Sequence, residues 1–401
     1  MKDVLIIAHF TQIPGEKGNG RFGYLANMLT KSGFDVEVVT TQFSHRIKNH
    51  RKVIDKHSEN INYKLTMLYE NGYQKNVSLK RFYSHYIFGK SLKSYLGKRK
   101  KPDIIYCAVP SLDAGYIAAK YAKKNKIKFI IDIQDLWPEA FKMIFNVPFI
   151  SDLIFYPMSN KANYIYNSAD SVIAVSETYM NRGLTPSKNR SNKGLSVFLG
   201  TDLVFFDKLA TKNYINKPTN EIWVTYIGTL GHSYDLTCVI DALYLLKSKG
   251  IKNIKFVVMG DGPLKKRFMD YANKKEVYNE FTGRLDYSEM VSRLVKCDIA
   301  VNPISKGAAQ SIINKVGDYA AAGLPVLNTQ ESEEYRKLLN EFNAGINCEN
   351  NNPEDLAEKL LLLCKNKKLR ETIGENSRKL AEAKFDRSKT YQDIINLLYE
   401  N

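Results

Sequence analysis

The sequence predicts an α/β fold made of two tandem domains, each with a mostly parallel sheet covered by helices on both faces. The chain has 401 residues, more than a single compact core usually holds. Short apolar strands alternate with helices in two separate series, the order from which parallel sheets are built. A polar stretch, KLATKNYINKPTNE at 208–221, separates the series. We interpret it as the linker, with a cleft between the domains.

The first series supports an N-terminal domain over residues 1–205. Segments with helical apolar spacing follow some of its strands, as expected of strands buried on both faces. The predicted strands are Val4–Ala8, Val36–Thr40, Ile104–Ala108, Phe129–Ile133 and Ser171–Val175, and the predicted helices include Arg21–Lys31 and Asp113–Lys124.

The second series supports a C-terminal domain over residues 206–385. Its predicted strands are Ile222–Ile227, Lys255–Met259, Asp298–Pro303 and Pro325–Thr329, and its helices include Thr237–Lys249, Pro263–Asn273 and Pro353–Lys365. The last segment, 386–401, also has helical apolar spacing. We expect it either to close the second domain or to pack back on the first.

Composition excludes several classes of protein. No apolar run approaches the length needed to cross a bilayer, and MKDVLIIAHF reads as a first strand rather than a signal peptide. The five cysteines are scattered singly, without metal-ligand spacing. We therefore expect neither a disulfide framework nor a zinc site, and a reducing cytoplasmic location.

Positive charge is concentrated in the first half of the chain. Residues 1–200 have a net charge of +15 and the remainder +2, which together give the formal charge of +17. This asymmetry predicts an anionic partner for the first domain. The two candidates are nucleic acid and an anionic membrane surface, and no recognised nucleic-acid motif is present.

Glycine-rich turns occur where several predicted strands end. Glycine lets backbone N–H groups approach a phosphate, and a following helix adds its positive end. These turns are GEKGNGRFGYLANML (15–29), YIGTLGHSYDL (226–236), VVMGDGPLKKR (257–267) and FTGRLDYSEM (281–290). The first lacks the dinucleotide fingerprint, and any one could be a plain structural turn. Three in one half of the chain predict a nucleotide at the sheet edge.

The segment AAQSIINKVGDYAAAGLPVLNT (308–329) carries the most specific pattern. A loop leads into a helix that stops at Gly323, and Pro325 opens the next strand. Asp318 on this helix is placed to accept ribose hydroxyls. Gln310 would lie in the preceding loop beside the phosphates or the sugar, and Lys315 could neutralise a pyrophosphate.

These motifs give the chain a resemblance to family 4 of the retaining glycosyltransferases, and within it to bacterial enzymes of capsule, exopolysaccharide and O-antigen synthesis. The ordered set that carries the resemblance is GNGRFGYLANML, DIQDLWPEAF, ADSVIAVSE, LGTDLVFF, YIGTLG, VMGDGP, FTGRL and NKVGDYAAAGLPVL. The resemblance implies the GT-B fold, with two Rossmann-like domains facing across a deep cleft. It also implies a nucleotide-sugar donor and no metal or other cofactor.

The resemblance also implies site residues. Asp318 matches the acid that holds the donor ribose, and Gln310 falls at the acid beside the reacting carbon. Lys315 would then help to handle the leaving phosphate. Donor contacts are implied for Gly20, Arg21, Gly228, Thr229, Gly231, His232, Gly260, Gly262, Arg284, Leu285, Ser311, Ile312 and Ile313, together with Lys315 and Asp318.

The chain departs from the family pattern in three ways, at four positions. Gln310 is neutral and Asp318 is one methylene shorter where the family has a pair of glutamates. Thr229 and His232 stand where many relatives have an Arg and Lys pair for the pyrophosphate. Lys315, Arg21 and His232 are the candidates for supplying that missing charge.

The segment DIQDLWPEAF (132–141) gives the candidate acceptor side. Asp135, Trp137 and Glu139 follow a predicted strand, and Asp135 is the best candidate for contacting the acceptor or the donor sugar. The alternative is that Trp137 and Pro138 only fix the start of the next helix.

Two further stretches bear on membrane contact. KRFYSHYIFGKSLKSYLGKRKK (80–101) interleaves aromatic and basic residues and predicts a helix on an anionic membrane surface. AFKMIFNVPFISDLIFYPM (140–158) is apolar and aromatic, and we expect it to pack in the core.

Together these features predict a glycosyltransferase at the inner face of the plasma membrane. It would move a sugar, such as an N-acetylhexosamine, from a UDP-linked donor to a lipid-linked polyprenyl-diphosphate glycan. Two alternatives stay open: a non-catalytic nucleotide-sugar-binding partner subunit, in which Gln310 marks a lost active site, and a UDP-sugar 2-epimerase.

Overall fold

A computed structural model describes residues 1–16, 20–51, 61–76, 78–144, 150–186, 193–308 and 312–400. The chain divides into two compact units. The first comprises Met1–Val197 with Tyr391–Asn401, and the second comprises Phe198–Thr390.

The first unit is built on a parallel sheet. Its strands are β1 (Asp3–Ile7), β2 (Asp35–Thr41), β3 (Phe43–Ser44), β4 (Asn49–His50), β5 (Lys64–Leu68), β6 (Ile104–Val109), β7 (Lys128–Ile133), β8 (Ser171–Ala174) and β9 (Lys193–Ser196). The sheet order among them is β5-β2-β1-β6-β7-β8-β9, all parallel, and β3 and β4 form a small antiparallel pair.

Helices cover both faces of this sheet. They are α1 (Arg21–Lys31), α2 (Leu79–Lys98), α3 (Leu112–Asn125), α4 (Glu139–Ile144), α5 (Ile150–Ser168) and α6 (Glu177–Leu184). Strand β1 shows the arrangement: Leu5 and Ile7 belong to one core cluster and Val4 and Ile6 to the other. Alternate side chains of a strand point to opposite faces, so an apolar strand needs cover on both sides.

The second unit repeats the plan. Its strands are β10 (Ile222–Ile227), β11 (Ile254–Met259), β12 (Asn279–Gly283), β13 (Ile299–Asn302), β14 (Val326–Asn328) and β15 (Gly345–Asn347), in the parallel order β12-β11-β10-β13-β14-β15. Its helices are α7 (Leu203–Ala210), α8 (Leu236–Ser248), α9 (Lys265–Lys274), α10 (Tyr287–Leu294), α11 (Asn314–Ala321), α12 (Glu333–Phe342), α13 (Pro353–Lys365) and α14 (Lys367–Leu380), followed by a π-helical turn (Ala381–Phe385).

The last helix, α15 (Arg387–Tyr399), joins the core of the first unit. Tyr391, Ile394, Ile395 and Leu398 are buried in the same cluster as Val4 of β1. Apolar residues at helical spacing thus cover one face of the first sheet.

The predicted α/β fold class with two parallel sheets is confirmed, while the segment 140–158 differs from expectation. On α5, Ile150, Leu153, Ile154 and Tyr156 are exposed rather than packed in the core, and residues 145–149 lie outside the described residues. Within the described residues, no helix is long and apolar enough to cross a membrane.

Candidate active site

Two glycine turns of the second unit pack backbone against backbone. Gly228 follows β10 with φ 130°, and its N–H donates to Met259 O at 3.0 Å. A Cβ added at Gly260 would lie 1.8 Å from Gly228 O, and one at Gly262 would lie 2.4 Å from Leu230 O. Only glycine fits such an approach. The turns after β10 and β11 therefore form one compact edge at the carboxyl ends of adjacent strands.

A buried lysine amine reaches this edge from α11. Lys315 is 7% exposed, and its Nζ lies 4.0 Å from the ring centre of Tyr226 and 3.8 Å from that of Tyr234. A Cβ on Gly228 would lie 3.5 Å from Nζ. Among the described residues, this amine has no hydrogen-bond partner, and burial lowers the pKa of Lys315 well below its usual range. The arrangement suits a group that brings negative charge to the turn.

Helix α11 is fixed to the sheet by one tyrosine. The Tyr319 hydroxyl accepts a hydrogen bond from Ile227 N at 2.9 Å and donates to Val301 O at 3.2 Å. This pairing ties the helix to β10 and β13. Lys315, one turn earlier on α11, is thereby held at the Gly228 turn.

Asp318 is the second functional group on α11. It is 8% exposed, and its Oδ1 accepts hydrogen bonds from the Tyr287 hydroxyl at 2.9 Å and the Thr201 hydroxyl at 3.0 Å. Burial raises the pKa of Asp318 to about 6, although both hydroxyls oppose the rise. The carboxylate is thus preorganised, and its charge depends on pH in an accessible range.

The remaining predicted donor residues occupy varied positions. Thr229, His232 and Arg284 are exposed, while Gly231 and Leu285 are partly covered. Ile312 is buried in the core beneath α11, and Ile313 is the N-cap residue of that helix. Gln310 and Ser311 lie outside the described residues.

Arg21, at the start of α1 in the first unit, is buried and forms an ion pair inside the fold. Its Nε donates to Asp132 Oδ2 at 2.7 Å, and Nη1 donates to Val197 O at 3.0 Å and the Tyr391 hydroxyl at 3.3 Å. Both members of the ion pair are buried. This corrects the expectation that Arg21 closes a phosphate site, because its guanidinium is committed to the interior. Gly20 is the N-cap residue of α1.

The predicted acceptor residues form a packed loop after β7. Asp135 accepts hydrogen bonds from Leu136 N at 2.9 Å and Trp137 Nε1 at 3.2 Å, and burial raises the pKa of Asp135. Trp137 is buried in the core, and Glu139 pairs with Arg182 at 2.5 Å. The polar groups of this loop are thus hydrogen-bonded within the loop and to Arg182 of α6.

Sequence reasoning gave no role to four residues that shape these sites, although all four lie within the quoted motifs. Tyr226 and Tyr234 enclose the Lys315 amine, and Tyr287 and Thr201 orient Asp318. The last two hydroxyls come from segments far from α11 in the chain, so the motifs alone do not reveal the contact with Asp318. Within the described residues, no group of three or more His, Cys, Asp or Glu side chains is arranged to hold a metal ion.

Family comparisons match both units. Residues 21–184 match the model described as Glycosyltransferase Family 4, and residues 207–380 match the model described as Glycosyl transferases group 1. The uncharacterized glycosyltransferase MJ1178 of Methanocaldococcus jannaschii is 27% identical over 249 residues, which is 61% of this chain and 64% of that protein. The chain thus spans about three-fifths of the length of the curated relatives it matches.

Two solved structures show the same fold over essentially the whole chain. Sucrose-phosphate synthase from Thermosynechococcus elongatus has a TM-score of 0.75 at 16% identity, covering 99% of this chain and 98% of that one. HepE from Anabaena, solved with UDP and glucose, has a TM-score of 0.70 at 14% identity, covering both chains completely. With family matches to each of its two Rossmann-like units, this chain belongs to glycosyltransferase family 4 and has the GT-B fold.

Proposed function

We propose that this protein is a retaining glycosyltransferase that moves a hexosyl or N-acetylhexosaminyl group from a UDP-linked donor to a lipid-linked glycan. The acceptor carries a polyprenyl diphosphate, and the reaction serves bacterial surface polysaccharide synthesis at the cytoplasmic face of the membrane. The second unit binds the donor and the first unit binds the acceptor.

The observation that carries the donor assignment is the Lys315 amine at the Gly228 turn. A buried amine held between two aromatic rings, without an acceptor among the described residues, lacks a counter-charge. The donor diphosphate supplies that charge, and the amine becomes an ammonium group as the diphosphate binds. HepE, the fold relative described above, holds UDP and glucose, which supports a UDP-linked donor here.

Asp318 accepts the ribose hydroxyls in this proposal. Its Oδ1 is occupied by Tyr287 and Thr201, so Oδ2 is the atom assigned to the nucleoside. A carboxylate accepts hydrogen bonds well only when ionised, and Asp318 therefore binds ribose best above pH 6.

The chemistry needs charge stabilisation rather than a protein nucleophile. The bond between the anomeric carbon and the diphosphate oxygen breaks, and Lys315 stabilises the negative charge that develops on the leaving group. The acceptor hydroxyl attacks from the same face and gives its proton to the departing phosphate. Gln310 and Asp135 are the side chains we assign to the reacting sugar and the acceptor.

Membrane contact is assigned to a surface of the first unit that we call the apolar face. It consists of Leu79, Tyr83 and Tyr86 on α2 and Ile150, Leu153, Ile154 and Tyr156 on α5, all at least half exposed. Phe141 of α4 connects the two helices, with its ring 5.7 Å from Phe82 and 6.2 Å from Phe155. Exposed lysines at positions 80, 90 and 93 of α2 add positive charge. Apolar side chains beside lysines suit an anionic lipid interface.

A nucleotide-sugar screen tests the proposed function. Thermal shift with UDP-, GDP- and dTDP-sugars identifies the donor, and nucleotide release with membrane-extracted lipid identifies transfer. We expect a UDP-sugar to stabilise the protein and release of UDP to require the lipid extract. Binding without turnover would instead support a non-catalytic partner subunit. If no nucleotide sugar shifts the melting curve, the donor assignment is wrong.

A further inference from the structure

A cavity of about 350 Å³ lies at the amino ends of the strands β10, β11 and β12 in the second unit. Small-molecule sites in proteins begin at about 300 Å³. Its wall includes Trp223 of β10, Lys255 of β11 and Glu280 of β12. Gly228 follows the other end of β10, five residues beyond Trp223, which corresponds to about 17 Å along a strand. The cavity is therefore separate from the candidate active site.

One wall of this cavity comes from the polar stretch 208–221, which is anchored to the second unit. The backbone N–H of Asn213 donates to Ser292 Oγ at 3.2 Å, and Ile215 packs against the core of the unit. Tyr214 lies between these two anchors and lines the cavity. The loop is thus held in place at both sides of the tyrosine.

Two exposed phenol rings border the cavity. Tyr214 is 90% exposed and Tyr278 is 47% exposed, and both line the wall. The Tyr278 hydroxyl donates to Glu221 Oε1 at 3.1 Å, which fixes the position of its ring. An aromatic face attracts the C–H groups of a sugar ring through dispersion and through the negative charge of the π system. Exposed rings beside polar groups suit a ligand with C–H faces and hydroxyl edges.

The charged side chains of the cavity balance one another. Glu280 pairs with Lys255 at 2.6 Å and with Arg293 at 2.5 Å, while Glu221 also accepts a hydrogen bond from Trp223 Nε1 at 2.7 Å. Two cations face two carboxylates, so the wall has no net charge. A carboxylate has about four acceptor positions, and the contacts given for the described residues use two on each. Both carboxylates can therefore accept further hydrogen bonds from hydroxyl groups.

We propose that this cavity binds a neutral sugar residue of a glycan chain, at a second site distinct from the donor site. The rings of Tyr214 and Tyr278 pack against the C–H faces of the sugar, and Glu221 and Glu280 accept hydrogen bonds from its hydroxyls. A phosphorylated or acidic ligand fits less well, because the balanced ion pairs offer it no surplus positive charge. The site holds a glycan on the second unit whichever nucleotide the protein uses, so it does not depend on the donor assignment.

Calorimetry on the full chain tests this site with neutral trisaccharides. The probes are maltotriose, cellotriose, mannotriose and chitotriose, with trigalacturonate as the acidic comparison, each titrated with and without UDP. We expect at least one neutral trisaccharide to bind with the same affinity in both conditions, and trigalacturonate to bind about tenfold more weakly. UDP binding is measured separately in the same protein, so failure of the donor assignment is recognised on its own.

Substitutions of exposed tyrosines locate the binding. Tyr214→Ala and Tyr278→Ala should each weaken trisaccharide binding about tenfold, because each removes a stacking ring. Tyr244→Ala, on α8 of the same unit and 39% exposed, is the matched control and should bind as the wild-type protein does. Tyr214 is the safer variant for folding, since nearly all of its side chain is in solvent.

Four results would overturn the proposal. They are absence of binding by every neutral trisaccharide, tighter binding of trigalacturonate, loss of trisaccharide binding when UDP is present, and an equal loss of affinity in all three tyrosine variants. The third result would place the sugar at the donor site instead of this cavity.

Discussion

Asp318→Asn should make the protein more stable at pH 8 while weakening nucleotide binding. The pKa of Asp318 is raised from 3.8 to about 6, and each pKa unit corresponds to about 1.4 kcal/mol. Its ionised form therefore costs the fold up to about 3 kcal/mol at pH 8. Asparagine keeps an oxygen at Oδ1 for the Tyr287 and Thr201 hydroxyls. We expect the free energy of unfolding to rise by about 1–3 kcal/mol at pH 8.

The stability difference between the asparagine variant and the wild-type protein should depend on pH. Because the folded-state pKa is raised, the native protein binds more protons than the unfolded chain between about pH 4 and 6, and the wild-type protein gains stability as pH falls. The advantage of the asparagine variant should shrink by about 1.4 kcal/mol between pH 8 and pH 5. Urea unfolding of the wild-type protein and the variant at both pH values measures this change. The contributions of all other titrating groups cancel when the two unfolding free energies are subtracted. A variant that is less stable by the same amount at both pH values would refute the reasoning.

Three further substitutions probe the fold and the apolar face. Arg21→Met should cost about 3–5 kcal/mol of unfolding free energy, because it leaves Asp132 charged and buried without its partner; a loss below about 1 kcal/mol in urea unfolding would contradict this. Gly260→Ala should prevent a stable second unit, since its Cβ would lie 1.8 Å from a backbone oxygen, and a variant with native melting temperature would show that the turn can move. Leu153→Asp should reduce co-sedimentation with phosphatidylglycerol vesicles, while the equally exposed Val204→Asp (79% against 78% exposed) should not; equal effects would reject the face as the membrane contact.

Much of the fold could be predicted because apolar periodicity reports burial directly. The central strands β1, β6, β7, β10, β11 and β13 are buried on both faces and read as apolar runs. The short or partly exposed strands β5, β9, β12 and β15 lack that signal, and none was predicted. Their pairing is decided by neighbouring strands rather than by their own sequence.

The candidate site was predictable only in part. The glycine turns and the ends of the helix carrying Lys315 and Asp318 follow local residue preferences that can be recognised in the sequence. The contacts that shift the pKa values of these two residues cannot be recognised there, because the fold brings the partner rings and hydroxyls together. Arg21 illustrates the limit: a residue at the start of a helix after a glycine turn is suited to phosphate, yet Asp132, 111 residues away, engages its guanidinium. The exposure of Leu153 was likewise hidden, since an apolar run is typical of a core as much as of a surface.

UDP binding to the wild-type protein and to Lys315→Met, by calorimetry at pH 8, tests the central claim most directly. Loss of a charged hydrogen bond to phosphate should weaken binding about 10- to 100-fold. The same variant should unfold at a higher temperature without ligand, because it removes an unpaired buried amine. Lys337→Met, on the exposed surface of α12, is the matched control and should behave as wild type. Equal UDP affinity in Lys315→Met and the wild-type protein would contradict the assignment of the donor diphosphate to the Gly228 turn.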